Sequence, residues 1–225
     1  DVRIEFYAAI KTAEPFLPAG TVIAREQTYV HTFYKKEATA QQPATSKEEG
    51  NLVAFSGPDF KATFDKQSGL LTSYLYKKHE YILNGQGPRP FFWRAPTDND
   101  YGANLPVRLK AWKEASYQEP KAESFQVTPG SNATTIKVTY RFPQTDARWD
   151  ITYKIYASGV IKVDNRFVAE GDQAPMIPRV GLRMQLPESF TDLTYYGRGP
   201  KENYRDRRTS QFIGEYAIPV KDMYE

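Results

Sequence analysis

Cysteine is absent from the 225 residues. There is therefore no disulfide framework and no thiolate chemistry, which fits a reducing compartment without requiring one. Histidine is almost absent. His31 and His79 stand alone, without a His-x-x-x-His or cysteine companion, so neither a zinc site nor a Ser-His-Asp triad is expected. Charge of one sign is also lacking. Thirty basic and twenty-seven acidic residues leave a formal net charge of +3, which gives no electrostatic case for nucleic acid. No apolar run approaches the ~20 residues of a membrane helix, so no membrane partner is expected. The opening Asp1-Val2-Arg3-Ile4-Glu5-Phe6 alternates and carries acid, unlike a signal peptide. With no initial Met, the chain reads as a mature or excised piece. A phosphate loop is missing too: Gly197-Arg198-Gly199-Pro200 puts proline where a backbone N–H donor is needed.

Aromatic residues, by contrast, are plentiful: sixteen Tyr, thirteen Phe and three Trp. Such residues favour strands, and most are expected to fill a core. Val2, Ile4, Phe6, Ala8 and Ile10 alternate with Arg3, Glu5, Tyr7, Ala9 and Lys11, which predicts a half-buried strand. A second extended stretch runs from Thr21 to about Lys35, with Val22, Ala24, Tyr29, His31 and Phe33. From Lys36 to Gly50 there is no large apolar residue. That stretch reads as a linker or exposed loop, and it sets a domain boundary.

Beyond it strand signals crowd together. Phe60, Ala62 and Phe64 lead into the turn Asp65-Lys66-Gln67-Ser68-Gly69, then Leu70, Thr72, Tyr74 and Tyr76. Ile136, Val138, Tyr140 and Phe142 form one clean alternation, and Trp149, Ile151, Tyr153 and Ile155 another. Ala157-Ser158-Gly159 turns into Ile161, Val163, Asn165 and Phe167. One helix is predicted, capped by Asn104, with Pro106 early and Leu105, Leu109 and Trp112 at helical spacing. The fold class is all-β and antiparallel, a sandwich or barrel.

Two stretches are denser in chemistry than the rest. In Arg89-Pro90-Phe91-Phe92-Trp93-Arg94-Ala95-Pro96-Thr97-Asp98-Asn99-Asp100-Tyr101-Gly102, an aromatic strand stops at a polar loop. The Asp98-Asn99-Asp100 cluster suits calcium poorly, because Gly102 falls at the wrong offset and no Glu follows at the EF-hand distance. An Asx network that orders the loop is favoured, with no metal. The second stretch, Tyr196 to Arg207, carries Glu202, Asn203, Tyr204, Asp206 and Arg207 after Gly-Pro. It predicts a buried ion-pair knot in which Arg207 holds a carboxylate bidentately. Trp93, Trp112 and Trp149 are candidate sugar platforms, with the core the default for Trp149. Glycoside hydrolysis needs two carboxyl groups about 5 Å apart for retention, and no pair here can be singled out. No catalytic residue is assigned.

These stretches resemble the C-terminal part of family-2 glycoside hydrolases of the β-galactosidase type. Leu17-Pro18-Ala19-Gly20-Thr21-Val22-Ile23-Ala24-Arg25 resembles the end of the immunoglobulin-like domain before the last sandwich. Phe92 to Gly102, Ile177 to Pro187, Tyr196 to Arg207 and Asp222-Met223-Tyr224 resemble successive stretches of that sandwich. The resemblance implies that residues 1–46 are the last strands of an immunoglobulin-like sandwich. Residues 47–225 would then be the final supersandwich, of galactose-mutarotase-like type and truncated at its C-terminus.

It implies a parent that hydrolyses terminal β-D-galactosides such as lactose with retention, both catalytic glutamates lying on a barrel domain outside this chain. Mg2+ and Na+ would be bound mainly by that barrel, with no cofactor here. The barrel of the same chain, the galactoside and further copies of the parent would be its partners, in a soluble bacterial protein of cytoplasm or periplasm. The family's loop after Asp-Asn-Asp approaches the galactose pocket, which makes Asp98, Asn99, Asp100, Gly102 and Asn104 candidate substrate-side residues. Arg94, with Glu202, Asn203, Tyr204, Asp206 and Arg207, would be structural. Two other classes stay open: a stand-alone carbohydrate-binding module, and an aldose epimerase, which would need a catalytic His and Glu in one cleft.

Overall fold

The computed structural model describes residues 2–32, 42–171 and 175–223. In chain order the strands are β1 (Val2–Ala9), β2 (Val22–His31), β3 (Thr45–Glu49), β4 (Leu52–Ser56), β5 (Phe60–Asp65), β6 (Leu71–Tyr76), β7 (His79–Glu80) and β8 (Arg89–Phe91). Three short helices follow, α1 (Asp98–Gly102), α2 (Leu105–Arg108) and α3 (Lys110–Tyr117). Then come β9 (Ser124–Thr128), β10 (Thr134–Phe142), β11 (Ala147–Ile155), β12 (Ile161–Ala169), β13 (Gly181–Arg183), β14 (Asp192–Gly199) and β15 (Phe212–Pro219). The fold is all-β and antiparallel, a sandwich and not a barrel.

Contacts divide the chain into two compact units. One joins β1 and β2 to the chain from Phe190 onward; the other comprises the residues between, up to Ser189.

The larger unit holds two principal sheets, ordered β3-β4-β5-β6-β7 and β12-β11-β10-β9. Their inner faces follow from period two. Ile136, Val138, Tyr140 and Phe142 on β10 are buried, as are Trp149, Ile151, Tyr153 and Ile155 on β11 and Phe60, Ala62 and Phe64 on β5. Each fully buried side chain of this size contributes roughly 1.5–3 kcal/mol. The sheets meet where the Phe64 ring lies 5.0 Å from that of Tyr153 and 6.4 Å from that of Phe125. The β5–β6 turn forms as expected, its Asp65 carboxylate accepting from the Gln67 N–H at 2.8 Å and the Ser68 hydroxyl at 3.1 Å. Gly69 closes that turn at φ +75, and an added Cβ would sit 2.5 Å from both the Tyr140 hydroxyl and Val138. Glycine is required there on both counts.

Part of the expected linker is structured. Phe33 and residues 36–41 lie outside the described residues. From Pro43 the chain bridges to Tyr156, buries Ala44 and forms β3, an edge strand whose five side chains are all exposed. An edge strand needs only its backbone ladder, and exposed polar side chains suit it, so composition alone read it as a loop.

In the smaller unit β1 pairs with β2, and β14 with β15. The Gln27 amide bonds the Ile213 backbone twice, donating to its carbonyl and accepting from its N–H, both at 2.9 Å. Arg25 donates to the Ser210 carbonyl at 2.6 Å and lies 4.9 Å from the Phe212 ring. β1 is a strand as its alternation predicted, but not a half-buried one. Ile4 is 47% exposed and Phe6 55%. The face with Glu5, Arg25 and Gln27 is the one that meets β15, and no described residue covers the apolar face opposite.

Candidate functional site

Strand β8 delivers the densest stretch of the sequence into the core. Phe92 is fully buried, its ring 4.8 Å from Trp112, 5.0 Å from Phe142 and 5.4 Å from Trp149. Its N–H donates to the Ser116 hydroxyl at 2.9 Å, which donates to the Trp112 carbonyl at 2.7 Å. This aromatic centre locks the position from which the polar segment departs. Trp93, Trp112 and Trp149 are all buried, so none offers the exposed ring face that a sugar platform needs.

Two residues on, Arg94 donates to Asp100 Oδ1 at 2.9 Å in a largely buried ion pair. The other carboxylate oxygen accepts from the Thr97 N–H at 3.0 Å, and the Asp100 N–H donates back to the Thr97 hydroxyl at 3.4 Å. Thr97 and Asp100 thus form a reciprocal capping box that starts α1. The segment expected to be a loop is one helical turn, because this box satisfies the first free N–H groups. The expected role of aspartate in holding backbone N–H groups falls to Asp100 alone of the cluster. The Thr97-x-x-Asp100 spacing was the signal that would have found the helix.

Asp98, Asn99, Gly102 and Asn104 are exposed, while Asp100 is buried. Gly102 is not the left-handed residue; Asn104 is, at φ 55. A Cβ on Gly102 would meet nothing within 4 Å. Nor does the Asn104 side chain cap the following helix. Its own backbone is turned left-handed there, and the predicted single helix divides at Leu109, φ −110, into α2 and α3. Leu109 and Trp112 still face the core.

Beside α1 lies an open recess. Trp93, Leu105, Leu109 and Ile177 supply its apolar wall, and the Arg94–Asp100 pair its charged part. Both Asp100 oxygens are engaged by Arg94 and Thr97, so this carboxylate positions backbone and is not a free proton acceptor. Among the described residues no three His, Cys, Asp or Glu side chains gather where a metal ion could sit. No helix among them is long and apolar enough to cross a membrane.

The second dense stretch lies in the other unit, after β14. Arg207 donates to Glu202 at 2.7 Å, but the pair is exposed (67% and 45%) and held by one hydrogen bond. The expected buried, bidentate knot is therefore a surface pair, with Asn203, Tyr204 and Asp206 also exposed. What orders this turn is Arg198, which donates to the carbonyls of Arg208 and Gln211 at 3.0 and 2.9 Å and whose own carbonyl accepts from Asn203 at 3.2 Å.

Elsewhere Glu80 is the most heavily engaged carboxylate among the described residues. It accepts from the Ser73 hydroxyl at 2.5 Å and from the N–H groups of Tyr74, Tyr81 and Ile82 at 2.8, 3.0 and 2.8 Å. Burial works against its charge, yet these bonds outweigh that effect and hold it below the usual carboxylate range. The Tyr140 and Tyr153 phenols are pushed well above the usual tyrosine range, chiefly by burial. His31 and His79, both exposed, lie on β2 and β7.

Against known proteins, the family described as beta galactosidase small chain matches residues 56–225. A beta-galactosidase of Priestia megaterium is 34% identical over 184 residues, covering 81% of this chain and 17% of its own length. One of Clostridium acetobutylicum is 34% identical over 73% of this chain and 18% of its own. One of Streptococcus thermophilus is 30% identical over 98% of this chain and 21% of its own. The chain spans about a fifth of the length of these relatives.

Proposed function

The chain belongs to the beta galactosidase small chain family, and from that premise we propose that it is a non-catalytic part of a β-galactosidase. The parent, a family-2 glycoside hydrolase, hydrolyses terminal β-D-galactosides, lactose among them, with retention. Both catalytic glutamates, and most Mg2+ and Na+ ligands, lie on its barrel domain. In this reading residues 1–46 are the last strands of an immunoglobulin-like domain, and 47–225 most of a mutarotase-like supersandwich. The barrel and further copies of the parent are its partners, in a soluble protein of bacterial cytoplasm or periplasm.

One observation carries the role proposed for this part: the buried Asp100 ties Arg94 to the start of α1, while Asp98, Asn99, Gly102 and Asn104 stay exposed. A short helix pinned from below, with polar groups outward, suits the wall of a sugar pocket. Its anchors are made before any ligand arrives. Asn99 and Asn104 carry both donors and acceptors, the pairing that sugar hydroxyls use.

Gly102→Ala and Asn99→Ala in the full-length parent test this. Since a Cβ at Gly102 meets nothing within 4 Å and Asn99 is exposed, both variants should fold normally. Both should shift kcat and KM for a chromogenic galactoside severalfold, as changes in pocket-side loops do. Unaltered constants in folded variants would remove the pocket-side role.

A further inference from the structure

Arg89 on β8 and Arg183 on β13 are direct cross-strand partners. Like charges placed directly opposite destabilise a sheet. The cost of such a pair favours whatever offsets the two charges. Arg89 is 8% exposed. Its guanidinium donates to the Ser116 and Gln118 carbonyls at 2.8 and 2.7 Å, at the C-terminal end of α3, and to the Gln86 side chain at 3.3 Å. A guanidinium has five N–H groups, so these three bonds leave two donors over. Arg183 lies against the rings of Phe91 and Tyr117, at 5.3 and 5.7 Å from their centroids.

Neither arginine has a carboxylate within ion-pair distance among the described residues. The α3 C-terminus offsets part of one charge, and the exposed Glu119 on the same rim adds a longer-range attraction. One positive charge remains. Both arginines line a single open recess, whose rim also carries the amides of Asn84, Gln86 and Gln185. Two guanidiniums and three amides against one carboxylate around one recess leave it rich in donors, the arrangement that recognises carboxylate or phosphate oxygens.

We propose that this recess is a binding site for a small oxyanion, seated between Arg89 and Arg183. The site lies away from the Asp98–Asn104 segment in sequence and shares none of the residues lining the recess beside α1. Arg183, stacked on its two rings, is the adaptable clamp; Arg89, tied to α3, is the fixed one. The excess donors then find acceptors, and the like charges an anion between them.

The test uses the whole chain, with inorganic phosphate and acetate as separate probes against chloride at equal ionic strength and neutral pH. With the anion about tenfold above its Kd, the unfolding midpoint should rise by about 3 °C. Calorimetric affinity should fall at least about tenfold in Arg183→Gln, the loss expected when one charged hydrogen-bonding partner goes. Arg183 is exposed, and Arg183→Gln relieves the like-charge pair while giving up two ring contacts, so this variant should still fold, its anion response is read against its own midpoint in chloride, and Arg183→Lys should bind between the two. A response to phosphate alone assigns the site to tetrahedral anions, and a response to both assigns it to oxyanions generally. No response to either, or the same response in Arg183→Gln, would overturn the proposal.

Discussion

Arg94 and Asp100, six residues apart, form a largely buried ion pair at 2.9 Å that doubles as the anchor of a helix start. The same carboxylate closes the capping box with Thr97. One side chain therefore joins the end of the aromatic strand to the surface segment that carries the proposed pocket-side residues. Stability turns on this carboxylate, on that of the half-buried Glu80 and on two buried tyrosine hydroxyls.

Removing the carboxylate costs the chain two bonds and leaves the Arg94 charge without this partner. Asp100→Ala should destabilise by about 2–3 kcal/mol, and Asp100→Asn, which keeps one acceptor, by about 1 kcal/mol. Urea unfolding of the chain measures both. A change within about 0.5 kcal/mol for Asp100→Ala, as on an ordinary surface, would show that the pair does not anchor α1.

Glu80 sets an acid limit. Its folded pKa is lowered from the 4.5 of an unperturbed group. Its contribution is therefore fully present above about pH 4.5, and is lost as pH falls through the lower folded value. Glu80→Gln should cost about 1 kcal/mol at pH 7. The difference from the unaltered chain should shrink steadily below pH 4.5. Unfolding curves at pH 7 and pH 3.5 that differ by the same amount would contradict this.

Tyr153 and Tyr140 make a matched pair. Both are buried on the inner face of the β9–β12 sheet. The Tyr140 hydroxyl donates to the Ser68 carbonyl at 3.0 Å, whereas the Tyr153 hydroxyl has no hydrogen-bond partner among the described residues. A buried polar group left unsatisfied costs about 1–3 kcal/mol. Tyr153→Phe should therefore stabilise by about 1 kcal/mol and Tyr140→Phe destabilise by about as much. Thermal unfolding of the two variants distinguishes the signs, and two shifts of the same sign would refute the reading.

The inner faces were the most legible part of the sequence. Period-two burial at Ile136–Phe142 and Trp149–Ile155 follows directly from the alternation of side chains on a strand. Alternation at β1 read equally clearly, yet Ile4 and Phe6 are exposed. A hydrophobic pattern reports which face seeks cover, not which residues supply it. The helix break at Leu109 was hidden because Leu105, Leu109 and Trp112 keep helical spacing across it. β3 was hidden by its polar composition.

At the site, the Asx-like ordering at Asp100 was legible because it is local. The aromatic centre at Phe92 and the Arg89–Arg183 pairing join positions 24 and 94 residues apart, by way of Ser116 and β13. No local pattern marks contacts of that kind. Arg207 misled for a related reason. Charge density in sequence does not report burial, and Glu202 and Arg207 pair at the surface.

On the proposed function, this chain forms part of a β-galactosidase whose catalytic carboxylates lie elsewhere. The direct measurement is turnover of a chromogenic β-galactoside by the purified 225-residue chain. No turnover above buffer is expected. Hydrolysis that survives repurification and disappears on a single Glu→Gln substitution would contradict it, because a catalytic carboxylate would then lie within these residues.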